Sequence, residues 1–205
     1  MKFIEFKKIF EAYSIFSLSD IRAVESGFYR ERLNDWQDKG YIRKIINNYY
    51  LFTDEKIDEK MLFFIANKIY SPSYISLEMA LSYYQIIPES AYMITSIATK
   101  KTMRFQTSLG SFSYTHSMPA LFFGYILMKA HKHFFKIATP EKALIDYCYY
   151  KMWPRGYDDF LSLRIDRDIL NDRIEKNQLK SFAKHYNNKA FAQRIDRFLE
   201  YSTHA

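Results

Sequence analysis

Tyr29, Arg30, Arg32 and Asn34 lie close together in the chain and are side chains of the types that read base edges. An arginine can hold guanine O6 and N7 with two hydrogen bonds, and an asparagine can do the same at adenine. Lys39, Arg43 and Lys44 follow and supply cations for phosphate oxygens, while Asn47-Asn48 offers short polar groups for a groove. The chemistry implied is contact with double-stranded DNA. Glu31, Asp35 and Asp38 are interleaved with these groups and offer a second reading. In it, Arg30 and Arg32 pair with Asp35 on a solvated helix face.

Three other clusters have residue types that could carry chemistry. Lys100, Lys101 and Arg104 form the densest cationic spot beyond the first segment, suited to a nucleic acid or an acidic partner, or to guarding a strand edge. His131 and His133 share one side of a strand with Glu141 nearby, but a lone cysteine and no third clustered histidine leave a zinc site incomplete. Asp158-Asp159 is a poor metal clamp, because neighbouring residues diverge by about 100° on a helix and face opposite ways on a strand. Glycine-rich phosphate loops, Gly-x-Ser-x-Gly and His-Glu-x-x-His are absent. The expectation is a protein with no catalytic residues, no metal and no cofactor. A metal-dependent nucleic-acid enzyme using Glu141, Asp146, Asp158 or Asp159, or a pure protein-interaction module, are the alternatives.

The elements that must position the first cluster are legible from periodicity. Phe3, Phe6, Ile9, Phe10 and Tyr13 recur at helical spacing. Ser17 or Ser19 can cap a second helix that buries Leu18, Ile21 and Val24, and Ser26-Gly27 breaks it. A third helix is expected from Phe28 to Lys39, burying Tyr29, Leu33 and Trp36 and stopped by Gly40. The pattern then alternates through Tyr41–Ile45 and Tyr49–Phe52 about a turn at Asn47-Asn48. Three helices followed by a two-stranded ribbon is the plan of a winged helix-turn-helix.

Asp54, Glu55, Asp58 and Glu59 load the start of a connecting helix that carries Met61, Leu62, Ile65 and Ile69. Beyond it, strands and helices mix, Thr139-Pro140-Glu141 opens a helix, and the last segment reads as helical. The expected fold class is α+β, with a winged helix-turn-helix over 1–53, a helical connector over 54–70, and a mixed α+β domain with a helical tail over 71–205.

Composition sets outer bounds. The formal charge is +7, from 30 Lys and Arg against 23 Asp and Glu, which draws the molecule toward polyanions. Cys148 stands alone, so no internal disulfide is possible and a buried inert thiol is expected. The first residues mix acid, base and aromatic groups, unlike a signal peptide, and no apolar run approaches the ~18 residues of a membrane span. A cytoplasmic protein without a membrane partner is the expectation.

Several stretches resemble the AbiEi family of antitoxins, which are transcriptional regulators of bacterial abortive-infection and type IV toxin-antitoxin systems. Phe28 to Phe52, with Leu33, Trp36, Gly40-Tyr41-Ile42 and Tyr49-Tyr50-Leu51-Phe52, is similar to that family's winged helix-turn-helix. Tyr74 to Tyr84, Thr99 to Phe105, Gly110 to Tyr114 and Ala138 to Asp146 resemble blocks of its second domain, in the family's order. The resemblance implies an N-terminal unit that represses its own operon and a second domain that counters a nucleotidyltransferase-type toxin without requiring a stable complex.

Overall fold

The computed structural model describes residues 1–88, 92–151 and 165–203. Among them the chain is a mixed α+β protein with nine α-helices and two sheets. No helix among the described residues is long and apolar enough to cross a membrane.

The N-terminal segment begins with α1, Phe3–Phe10, whose Phe6 and Phe10 face inward. This helix stops a turn earlier than the apolar spacing suggests, leaving Tyr13 52% exposed. A short strand absent from the sequence reading follows, β1, Ile15–Ser17. Ser17 then caps α2, Leu18–Val24. The Asp20 backbone N–H donates to Ser17 Oγ at 3.1 Å, and Ser17 N–H returns a bond to Asp20 Oδ2 at 2.8 Å. Such reciprocal capping satisfies two donors that a helix start leaves open. Only Ile21 of the three expected apolar anchors of α2 is buried; Val24 is exposed.

The third helix, α3, spans Glu31–Asp38, three residues shorter at its start than expected. Phe28, not Tyr29, fills the core beside Leu33 and Trp36, and Tyr29 is 73% exposed. A tight turn explains the exchange: Phe28 N–H bonds the Glu25 carbonyl, which aims Phe28 inward before helical geometry begins. Gly40 ends α3 at φ +70°, while Tyr41 N–H reaches back to the Trp36 carbonyl at 2.9 Å and Gly40 N–H to Gln37 at 2.8 Å. A left-handed residue at this position is the usual reason for glycine after a helix.

Strands β2, Ile42–Ile46, and β3, Tyr49–Phe52, form the expected hairpin, with Asn48 at φ 70° in its turn. They join β1 in a three-stranded sheet of order β1-β3-β2. Its helix-facing side packs an aromatic core of Phe6, Phe10, Phe16, Phe28, Trp36, Tyr50 and Phe52. Its opposite side sends Ile15, Ile45 and Leu51 into the larger core of the rest of the chain.

Segment 54–70 supplies α4, Glu59–Ile69, capped by Asp58 through Met61 N–H at 2.8 Å. Met61, Phe63, Ile65 and Ala66 are fully buried, so this helix packs inside the larger core. A six-stranded sheet then forms from β4, Ser73–Ile75; β5, Met93–Ala98; β6, Met103–Thr107; β7, Gly110–His116; β8, Tyr125–Ala130; and β9, His133–Ala138. Its order is β6-β7-β5-β4-β9-β8, with parallel pairing of β5 to β7 and β4 to β9. Helices α5, Leu77–Tyr83, and α6, Pro140–Tyr150, pack against each other and against this sheet. The tail is helical as expected, with α7, Arg167–Arg173; α8, Lys176–His185; and α9, Lys189–Thr203. The expected strand over Phe122–Ala130 is shortened by a 3-10 turn at Pro119–Leu121 and begins only at Tyr125.

Candidate nucleic-acid interface

Tyr29 and Arg30 precede the first turn of α3, and Arg32 and Asn34 lie within it; all four are exposed. The alternative pairing of Arg30 or Arg32 with Asp35 is not formed, and neither arginine makes an ion pair with a described residue. Arg32 is not idle, however: its Nη1 donates to the Met1 carbonyl at 2.7 Å. The amino terminus is held in turn by Glu25 at 3.0 Å. Arg32 therefore ties α3 to the start of α1 and has only part of its guanidinium left for another partner.

A shallow depression opens at the α2–α3 turn, lined by Arg22, Ser26, Gly27, Phe28, Tyr29, Arg30 and Glu31. Arg22 was not among the residues singled out from the sequence. Its only signal there was position, one turn before Ser26-Gly27 on a helix whose buried face is Ile21. Arg22 and Arg30 are both exposed, and donors of their kind suit phosphate oxygens. Glu31, Asp35 and Asp38 remain on the exposed surface of α3, so this helix has no excess positive charge of its own.

The hairpin divides its cations between two faces. Arg43 pairs across from Leu51, and Lys44 across from Tyr50. Leu51 belongs to the larger core and Tyr50 to the aromatic one, so Arg43 faces the rest of the chain and Lys44 the helices. Arg43 is accordingly half-buried, with its Nε shielded and lacking a hydrogen-bond partner among the described residues. Lys39, Lys44, Asn47 and Asn48 are exposed. The Asn48 carbonyl accepts from Leu18 N–H at 3.1 Å, which holds the hairpin tip level with the start of α2.

Lys100, Lys101 and Arg104 are exposed, but they lie away from this surface. The turn between β6 and β7 touches β2, where Ser108 Oγ approaches the Lys44 carbonyl at 3.4 Å. Lys100 and Lys101 occupy the other end of β6, about 15 Å along a strand of that length. Lys100 Nζ lies 5.4 Å over the Tyr70 ring, and Tyr70 OH donates to the Lys101 carbonyl at 2.7 Å. With Thr99, Thr102, Met103 and His116 they line a second shallow depression.

The two histidines of the β8–β9 turn go to different partners. His131 Nε2 lies 2.9 Å from Asp58 Oδ2, and His133 Nε2 lies 2.9 Å from Ser14 Oγ with its ring stacked at 4.3 Å on Phe64. Lys132 Nζ between them donates to the Glu11 carbonyl. Lys132 and His133 fasten the N-terminal segment to the larger core, whereas His131 holds the N-cap of α4. Glu141 is buried and accepts from Glu175 N–H at 2.9 Å. Among the described residues no group of three metal-ligating side chains converges. Asp158 and Asp159 lie outside the described residues.

The densest polar cluster in the described structure was missed from sequence. Lys142 and Asp146, one turn apart on α6, are both fully buried and form an ion pair. Asp146 also accepts from Tyr186 OH at 2.7 Å, Tyr74 OH at 2.9 Å and Ser76 Oγ at 2.8 Å. Lys142 donates to Tyr186 OH at 2.8 Å and lies over the rings of Phe123, Tyr186 and Tyr74. Burial lowers the Lys142 ammonium from its ordinary range, with Asp146 opposing that shift. Gly124, at φ +71°, permits the close approach, since a Cβ there would lie 3.0 Å from Lys142 Cγ. With every polar atom satisfied and no exposed surface, the cluster joins β4, α6 and the end of α8. The lone thiol, Cys148, is buried and pushed up to about 12, as an inert core group would be.

No protein-family model matches the chain, and no curated protein matches it.

Proposed function

We propose that residues 1–53 are a winged helix-turn-helix that binds double-stranded operator DNA, and that the chain is a cytoplasmic autoregulator and antitoxin of an AbiE-like type IV system. The observation that carries this reading is the exposure of Arg30, which forms no ion pair with a described residue, beside Tyr29 and Arg22 at the head of α3. Helix-turn-helix proteins present this part of the third helix to the major groove. Lys44 and Lys39 supply phosphate contacts, and the hairpin tip, held at the level of α2, braces the backbone instead of entering the minor groove. Glu31, Asp35 and Asp38 outnumber Arg32 on α3, and only the flanking Arg30 and Lys39 balance them, so orientation, more than attraction, is the contribution of that helix. Residues 71–205 serve the antitoxin role toward a nucleotidyltransferase-type toxin.

Two readouts in one strain test the proposal. A reporter on the chain's own promoter should be repressed by the wild type and released by Arg30→Ala, while growth under a toxin encoded beside the gene should be rescued by both. Unchanged repression in Arg30→Ala removes the operator-reading role, and absence of rescue by the wild type removes the antitoxin role.

A further inference from the structure

We propose that β8 is a dimer edge, along which two copies of this chain pair antiparallel to make one continuous twelve-stranded sheet from two six-stranded ones. Strand β8 ends the sheet order, and none of its residues reaches across its free side to a described partner. The opposite edge, β6, is abutted by the hairpin of the N-terminal segment. An open edge of this kind is usually blunted by a bulge, a proline, a short length or charged side chains, and of these β8 has only Lys129. Here β8 runs without a register shift over Tyr125–Ala130, and it exposes Leu127 (64%) on the face it shares with Phe134 (60%) of β9 and Ile126 (44%) on the other.

The sequence of β8 is complementary to itself in one register. A two-fold axis normal to the sheet keeps each face continuous, so residues directly opposite must have the same parity. Centred on Leu127, it sets Leu127 against Leu127, Ile126 against Met128, and Lys129 against Tyr125. No like charges meet directly. Lys129 makes no ion pair, and the Tyr125 hydroxyl no hydrogen bond, with a described residue, so each supplies what the other lacks. Phe134, paired with Lys129 within the protomer, extends the apolar strip on the same face. A six-residue strand buries less than the ~1,200–2,000 Å² of a stable complex, so the dimer is weak and concentration-dependent. Two chains of charge +7 repel, so salt tightens this association, whereas it loosens binding to DNA.

Cysteine cross-linking reads the register directly. Directly opposed residues of an antiparallel pair have Cα atoms about 4.5–5.5 Å apart, within disulfide reach. Under mild oxidation Leu127→Cys should give a covalent dimer, and Lys129→Cys, opposite Tyr125, should give several-fold less; the native Cys148 is buried and does not compete. Sedimentation of the wild type should show a monomer–dimer equilibrium that Leu127→Lys abolishes while its circular dichroism stays unchanged. A wild type that remains monomeric at every concentration, or equal cross-linking by both cysteine variants, overturns the proposal. Neither readout contains DNA, so its failure leaves the operator-binding reading standing.

Discussion

The backbone N–H of Leu18 donates to the carbonyl of Asn48 at 3.1 Å, tying the tip of the hairpin to the first residue of α2. The hairpin tip and the start of α2 are thereby fixed to each other, and the ribbon is a brace level with the helices. A duplex lying on α3 would meet Lys44 and the asparagine turn as part of one surface.

That bond depends on the left-handed backbone of Asn48, at φ 70°. Asn48→Val should therefore cost roughly 1–2 kcal/mol, while Asn48→Gly should be tolerated. Urea denaturation of the two variants checks the difference; equal stabilities would mean that the turn does not hold this conformation.

Removing one member of the buried pair on α6 should be costly. Asp146→Asn leaves the Lys142 ammonium without its counter-charge among aromatic rings, and a loss of about 3–5 kcal/mol is expected. Adding Lys142→Met should recover part of that loss, because the stranded charge goes with it. Denaturant midpoints of the single and double variants provide the comparison, and a double variant less stable than Asp146→Asn would contradict this account.

Acid should loosen the attachment of the N-terminal segment. Burial against Phe64 holds His133 below its ordinary 6.5, with Lys132, Lys68 and His131 acting in the same direction and Glu55 against them. Well above 6.5 the histidine is neutral in both states. As pH falls below that value the unfolded chain takes up the proton first, so stability drops until the folded histidine also protonates. The fall in Tm between about pH 7.5 and about pH 5.5 should be smaller in His133→Phe than in the wild type. An identical fall would show that His133 carries no linkage.

The outline of the N-terminal segment was readable because its signals are local. The Ser17 cap, the Gly40 stop and the Asn47-Asn48 turn each act through the backbone of a few neighbouring residues. What was misread depended on distant partners. Phe28 and Tyr29 are chemically alike, and only the Glu25 turn decides which enters the core. Strand β1 exists because β3 lies beside it, and three residues give no periodicity of their own. Arg43 and Lys44 are adjacent cations on opposite faces of the hairpin, and the core that half-buries Arg43 is contributed from beyond residue 60. The Lys142–Asp146 cluster draws Tyr74 and Ser76 from the junction of β4 and α5 and Tyr186 from the end of α8, a convergence that a helical spacing on α6 does not announce.

Titrating the purified protein onto its own promoter fragment over a series of salt concentrations tests the central proposal most directly. Affinity should fall steeply as salt rises, Lys44→Ala should flatten the log–log slope by about one unit, and Arg30→Ala should weaken binding by about 1–3 kcal/mol. Binding indifferent to salt, or variants indistinguishable from the wild type, would contradict it.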